Sequence, residues 1–297
     1  MSSAKTTGGL LAAGALVINA FVWGVSWWPL RELQNAGLHP LWATAAVFLL
    51  VCICILLFYV SALRDLLANP ALWWLALASG LTNVGFNWAV TVGDVVRVVL
   101  LFYLMPAWSV LVAWGLLDER PTRASLLRLG LAMAGVLIVL KTPDSPWPVP
   151  QSNADWLALM GGLSFAITNA LLLKQSHTPS GARMLAMFAG GALMAMAVAV
   201  LGLLLGALPM PALQSTGWLV FLGLCLAFVL SNAALQYGAA RLAASTTSVV
   251  MLTEILFASV SAALLGAAAF SSRIFWGGSL IVLAALLAAL AHSQNDR

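Results

Sequence analysis

The sequence predicts an all-α integral membrane protein of ten transmembrane helices, arranged as two inverted five-helix repeats around a central cavity. Three observations carry that expectation. The 297 residues are 63% hydrophobic and only 7% charged, against roughly 25% charged residues in a soluble domain. Ten apolar runs, each about the 20 residues a helix needs to cross a bilayer, cover about 10–30, 39–60, 71–91, 95–117, 124–141, 154–174, 181–205, 216–240, 242–265 and 273–292. A pattern of amides and aromatics recurs on either side of a proline-rich linker.

Run one, GALVINAFVWGVSWWPL, sets Asn19, Trp23 and Ser26 on one helical face. Polar groups near the middle of a span avoid lipid, so that face should look into the bundle. Trp27 and Trp28 read as an interfacial belt. The first nine residues carry one Lys and no cleavage signature follows the run, which predicts a retained helix rather than a signal peptide. Run two opens on His39, Pro40 and Trp42 and is otherwise uniformly apolar, as expected of a peripheral helix. Run three carries Asn83 and Asn87, four apart, with Trp88. An unsatisfied amide in hydrocarbon is costly, so these must pair with protein or with water in a cavity.

A turn at Gly93 and Asp94 leads into run four, where Arg97 is expected to snorkel outward. Its segment LLFYLMPAWSVLVAWGLLDERPT holds Tyr103, Pro106 and Trp108. Proline removes a backbone donor and clashes with the preceding turn, which makes Pro106 the candidate hinge. Residues 142–153, TPDSPWPVPQSN, form the linker between a first repeat, 1–141, and a second, 154–297.

Across that linker, an offset of 142 sets Trp23 on Phe165 and Ser26 on Thr168. An offset of 149 sets Asn83, Asn87 and Trp88 on Asn232, Gln236 and Tyr237, and Met105-Pro106 on Glu254-Ile255, while Gly130 meets Gly278 at 148. Five spans is an odd number, so the second half enters from the opposite side and the repeats are inverted, as in secondary transporters with sites near the midplane. The candidate substrate face joins Trp23, Ser26, Asn83, Asn87, Tyr103, Trp108, Phe165, Thr168, Asn232, Gln236, Tyr237 and Glu254. Aromatic walls with a few amides suit a small amphipathic molecule. A neutral zwitterion fits such a face better than a phosphate, which needs several basic groups. Glu254 alone is an acid near mid-span, and such a carboxylate by default marks a proton relay or ligand contact.

Basic residues set the orientation. With a cytoplasmic N-terminus the inner side receives Lys5, Arg64, Arg120, Arg123, Arg128, Lys174, Arg183, Arg241 and Arg297, and the outer side only Arg31, Arg97, Lys141 and Arg273. Both termini are therefore expected in the cytoplasm. The net charge of +4 is a topology signal, with no basic run to suggest nucleic acid. Cys52, Cys54 and Cys225 lie inside apolar runs and read as core residues, not as a disulfide or metal site. His39, His177 and His292 fall at helix ends or loops, so no catalytic or metal constellation forms, and no phosphate-binding Gly-Lys loop exists for ATP. The expectation is a non-enzyme without cofactor or metal. Its partners are the bilayer, a small-molecule substrate and, as a coupling ion, the proton, and it acts as a monomer or weak homodimer. A channel would need a continuous polar lining, and the amides sit in two clusters.

The order of Trp23-Gly24, Tyr103-Leu104-Met105-Pro106, the exit Leu117-Asp118-Glu119-Arg120-Pro121-Thr122, Gly130 with Gly135, and Leu252-Thr253-Glu254 resembles the EamA-type exporters of the drug/metabolite transporter superfamily. The stretch RVVLLFYLMP from Arg97 looks most like the YddG type. The resemblance implies export of aromatic and other neutral amino acids across a bacterial inner membrane by alternating access. The second half departs from the pattern at Ile255 and at Ala267-Ala268-Ala269.

Overall fold

The computed structural model describes residues 2–93, 95–141, 149–266 and 272–295. The turn residue Asp94, linker residues 142–148 and Ala267-Ala268-Ala269 lie outside them. The described chain is built from α1 (Ser2–Val25), α2 (Trp27–Asn35), α3 (Pro40–Phe58), α4 (Ser61–Ala68), α5 (Ala71–Val92), α6 (Val95–Phe102), α7 (Met105–Leu117), α8 (Arg123–Leu140), α9 (Asn153–Lys174), α10 (Ser180–Leu204), α11 (Trp218–Ala239), α12 (Ala244–Met251), α13 (Glu254–Leu264) and α14 (Ser272–Asn295). Local chemistry fixes several starts. Thr122 and Ser125 form a capping box on α8, and Ser152 and Asp155 form one on α9. His39 caps α3, whose first residue is Pro40.

Among the described residues nine helices are long and apolar enough to cross a membrane. The sequence expectation was ten. The difference is run three: its helix α5 is 22 residues long, but Asn83, Asn87 and three tryptophans dilute its apolar character. The 8-residue helix α4 was read from sequence as a polar break. It buries Ala62 and Leu66 on one side and exposes Arg64 on the other.

Run two is not peripheral. Helix α3 buries ten residues and packs along α10. A run apolar on every side has no periodic face from which its neighbours can be read. Helix α5 lies between α9 and α10, α8 pairs with α14, and α1 with α11. Small residues allow these approaches. A Cβ on Gly190 would stand 2.0 Å from the carbonyl oxygen of Ala76, and one on Gly80 2.7 Å from that of Gly190.

Two spans are interrupted. Run four breaks at Tyr103 and Leu104, between α6 and α7, and run nine at Leu252 and Thr253, between α12 and α13. The two breaks share one backbone pattern at the 149-residue offset. Leu104 donates to Leu101 and Ala107 to Leu104, while Thr253 donates to Val250 and Leu256 to Thr253. These three-residue steps tighten the backbone at each break. Pro106 is thus not the centre of a bend. It sits in the first turn of α7, where a missing N–H costs little, and run nine breaks identically with Ile255 in its place.

Packing around the breaks is asymmetric. At one end of the molecule α12 packs on both α7 and α9. There the hydroxyls of Ser109 and Ser248 are hydrogen bonded, and Ala113, Ala170 and Ala244 form a buried cluster. At the other end, among the described residues, no comparable packing joins α6 to α13 or α6 to α1. Helix α6 leans instead on α9. Arg97 pairs with the buried carboxylate of Asp155 at 3.2 Å and also donates to the carbonyl of Val149, so it does not merely snorkel.

Candidate functional site

Between the breaks lies a cavity of about 90 Å³. Helix α1 gives it Asn19 and Trp23, α3 gives Phe48, and α5 gives Ser79, Thr82, Asn83, Phe86 and Asn87. Phe102 and Met105 face it from either side of the first break, and Met251 and Glu254 from either side of the second. Phe165 and Thr168 come from α9, Met187 and Phe188 from α10, and Phe228, Asn232 and Leu235 from α11. At this volume it holds a small solute or several waters, short of the roughly 300 Å³ of a drug-sized pocket. A larger guest requires its walls to move.

The rings form two connected chains. Trp23 stacks on Phe228 at 4.7 Å, Phe228 meets Phe48 edge-on at 5.7 Å, and Phe48 meets Phe188 at 5.0 Å. Across from them, Phe102 touches Phe86 at 4.7 Å and Phe165 at 6.2 Å. The amides are held by the scaffold. Asn19 donates to the carbonyl and hydroxyl of Ser231 at 2.9 and 2.6 Å, Asn83 to the Ser79 carbonyl at 2.9 Å, and Asn87 to the Thr44 hydroxyl at 3.3 Å. Asn83 and Asn87 therefore do not pair with each other. Among the described residues Glu254 is the only ionisable one in the lining. It is the first residue of α13, and the Tyr103 hydroxyl lies against its carboxyl from the other break. The backbone of α1 comes close here, where a Cβ on Gly24 would stand 2.6 Å from the Glu254 carbonyl.

Of the residues singled out in the sequence, Trp23, Asn83, Asn87, Phe165, Thr168, Asn232 and Glu254 line this cavity. Five do not. Ser26 turns back on the Trp23 carbonyl at 2.7 Å, where α1 gives way to α2. Tyr103 touches the Glu254 carboxyl without lining the cavity, and Trp108 lies about one turn past Met105 on α7. Gln236 sits behind Asn232 and Met187, with contacts of 3.4 Å to each. Tyr237 carries the Arg241 guanidinium 3.8 Å from its ring centre and is partly exposed, because it points a full 100° round the helix from Gln236. Sequence reasoning passed over Phe48, Phe86, Phe102, Phe188 and Phe228. A signal existed for two of them: Phe86 lies three residues from Asn83, and Phe228 four from Asn232, on the faces the amides mark.

Residues 10–141 match the EamA-like transporter family. The match runs from within α1 to the end of α8. Members of the family are transporters, not enzymes. The matched residues include those that α1, α5 and the first break give to the cavity. No curated protein matches the chain. A solved chain described as "Crystal structure of protein" has the same fold, with a TM-score of 0.75 at 18% identity, over 95% of this chain and 97% of that one.

Proposed function

We propose that the chain is a secondary transporter that exports small neutral metabolites, aromatic and other neutral amino acids among them, by alternating access around this cavity. The observation that carries the proposal is the asymmetry at the two breaks. If the halves are inverted repeats of five spans each, α6 with α13 and α7 with α12 are equivalent pairs on opposite membrane faces. One pair packs, and among the described residues the other has no comparable packing. A carrier caught with one gate closed and one open has this signature, and exchanging the two arrangements moves the cavity's access across the membrane. The distribution of Arg and Lys supports a cytoplasmic position for the packed pair.

The test is counterflow in proteoliposomes. Labelled phenylalanine should accumulate transiently against unlabelled phenylalanine trapped inside, and saturably. Linear, non-saturating flux indicates a channel instead. Topology is tested by single cysteines, Gly181→Cys and Ser145→Cys, in a background without Cys52, Cys54 and Cys225. They should react from opposite sides, and reaction from one side rules out the inverted repeat.

A further inference from the structure

The lining pairs one carboxylate with a wall of rings and, among the described residues, contains no Lys, Arg or His. Resting on the reading of this cavity as the transport site, we infer that the cavity recognises its substrate by a positively charged amine set against Glu254, with the apolar body along the rings, and that a substrate carboxylate is dispensable.

Three features lead there. An ammonium gains from a carboxylate through charge-assisted hydrogen bonds and from aromatic faces through the ring quadrupole, more so where water is excluded. Both lie on one surface, since Phe102 and Met105 flank the first break and Glu254 starts the helix after the second. Next, nothing in the lining answers a carboxylate with opposite charge. Its amides are partly committed: Asn19 gives both N–H groups to Ser231, Asn83 and Asn87 give one each to Ser79 and Thr44, and the Asn232 amide nitrogen meets only the Met187 sulfur, at 3.6 Å.

The third feature concerns the half-helix starts, which elsewhere bind anions through free backbone N–H groups. Here most of those donors are spent. Pro106 has none, Ala107 and Trp108 both donate to Leu104, Ile255 donates to Leu252, and Leu256 and Phe257 to Thr253. That leaves one N–H at each start, on Met105 and on Glu254, too few for an anion cradle, and the second start already carries the Glu254 carboxyl. A zwitterionic amino acid is then held by its ammonium end, with its carboxylate facing cavity water. The ester or the decarboxylated amine of the same body fits the same contacts and leaves no charge unpaired.

The experiment uses the full-length protein in nanodiscs and four probes with one aromatic body: phenethylamine, phenylalanine methyl ester, phenylalanine and 3-phenylpropionate. Binding is followed calorimetrically and transport in proteoliposomes. The two amines should bind at least as tightly as phenylalanine, and 3-phenylpropionate should not compete. Glu254→Gln should weaken the amines on the order of 10- to 100-fold, the range for losing a hydrogen bond to a charged group, while Glu254→Asp keeps the preference for amines. Equal competition by 3-phenylpropionate, amine binding indifferent to Glu254→Gln, or binding of none of the four overturns the inference. Amines that bind through Glu254 yet never cross the bilayer refute transport and leave recognition standing. Saturable phenylalanine flux that is indifferent to both amines and to Glu254 refutes recognition and leaves transport standing.

Discussion

The contact between Ser109 and Ser248 offers the sharpest test of the closed seam. Both residues are fully buried, and their hydroxyls bond across α7 and α12. Replacing one by alanine leaves the other hydroxyl buried without a partner, at about 1–3 kcal/mol. That cost falls only on the packed arrangement, because parting the helices gives the orphan a water. With about 1.4 kcal/mol for each factor of ten, Ser109→Ala or Ser248→Ala should shift the equilibrium toward the parted arrangement roughly 5- to 150-fold. Removing both hydroxyls leaves no orphan, so the double variant should shift it less than either single one. The reporter is Ala113→Cys, at a site 2% exposed in the seam, placed in a background lacking the three native cysteines. Its rate of reaction with an impermeant maleimide added from the cytoplasmic face measures the open fraction. Melting temperatures within a few degrees of the parent separate gating from unfolding. Single variants that leave the rate unchanged, or a double variant exceeding both, would refute the latch. Thr247 and Asn169 sharpen the expectation: both lie buried by this seam with side-chain atoms that have no partner, so the closed arrangement already bears a cost that opening relieves.

Asn87→Leu, which takes away a lining amide and its bond to Thr44, should lower phenylalanine affinity while the protein stays folded. Gln236→Leu should leave affinity intact and hold or raise the melting temperature, because the Gln236 carbonyl oxygen is buried without a partner and losing it removes a desolvation cost. Gly190→Ala should cost about 1–3 kcal/mol as α5 and α10 are pushed apart, read as a lower melting temperature. Pro106→Ala should keep the break and change stability by less than about 1 kcal/mol, since run nine holds the same geometry with Ile255; a straightened α6–α7, seen as lost Tyr103 to Glu254 cross-linking by introduced cysteines, would contradict this. Burial lowers the pKa of His39, whose ring nitrogen accepts the Leu41 N–H at 3.3 Å. The unfolded chain therefore takes up the proton first, and stability should be steady above about pH 6.5 and decline as pH falls below it. His39→Asn, which keeps an N-cap acceptor without the titration, should flatten that decline.

The membrane character, the span positions and half the cavity were legible because they depend on hydrophobicity and on polar residues too costly to leave in lipid. Asn83, Asn232 and Glu254 stand out in an apolar background for that reason. The ring wall was not legible, since a phenylalanine in a hydrophobic span looks the same facing lipid, core or cavity. Tyr237 misled because a repeated string of residue types was taken as one face, although consecutive helical residues diverge. Helix α3 misled because uniform apolarity hides its buried side. The breaks were half legible. Proline pointed to the first, while nothing in Leu252-Thr253 advertises the second except its distance from the first.

That second break explains how a carboxylate can sit at this depth. An acid in the middle of a continuous helix would face backbone groups already bonded within the helix. Ending α12 at Met251 and restarting at Glu254 places the carboxyl at a helix start, where the axial dipole favours negative charge. The corresponding position in run four is Met105, so the charge belongs to one half alone. Tyr103, from the break that lacks an acid, reaches across to it. The two interrupted spans therefore meet at their breaks through a Tyr–Glu contact and are packed on one side of it through Ser109 and Ser248, with no comparable packing on the other among the described residues. A contact at the crossing point can persist while the ends exchange. If it is the pivot, Tyr103→Phe should alter the exchange rate between arrangements more than the affinity for substrate, because Tyr103 supports Glu254 without lining the cavity.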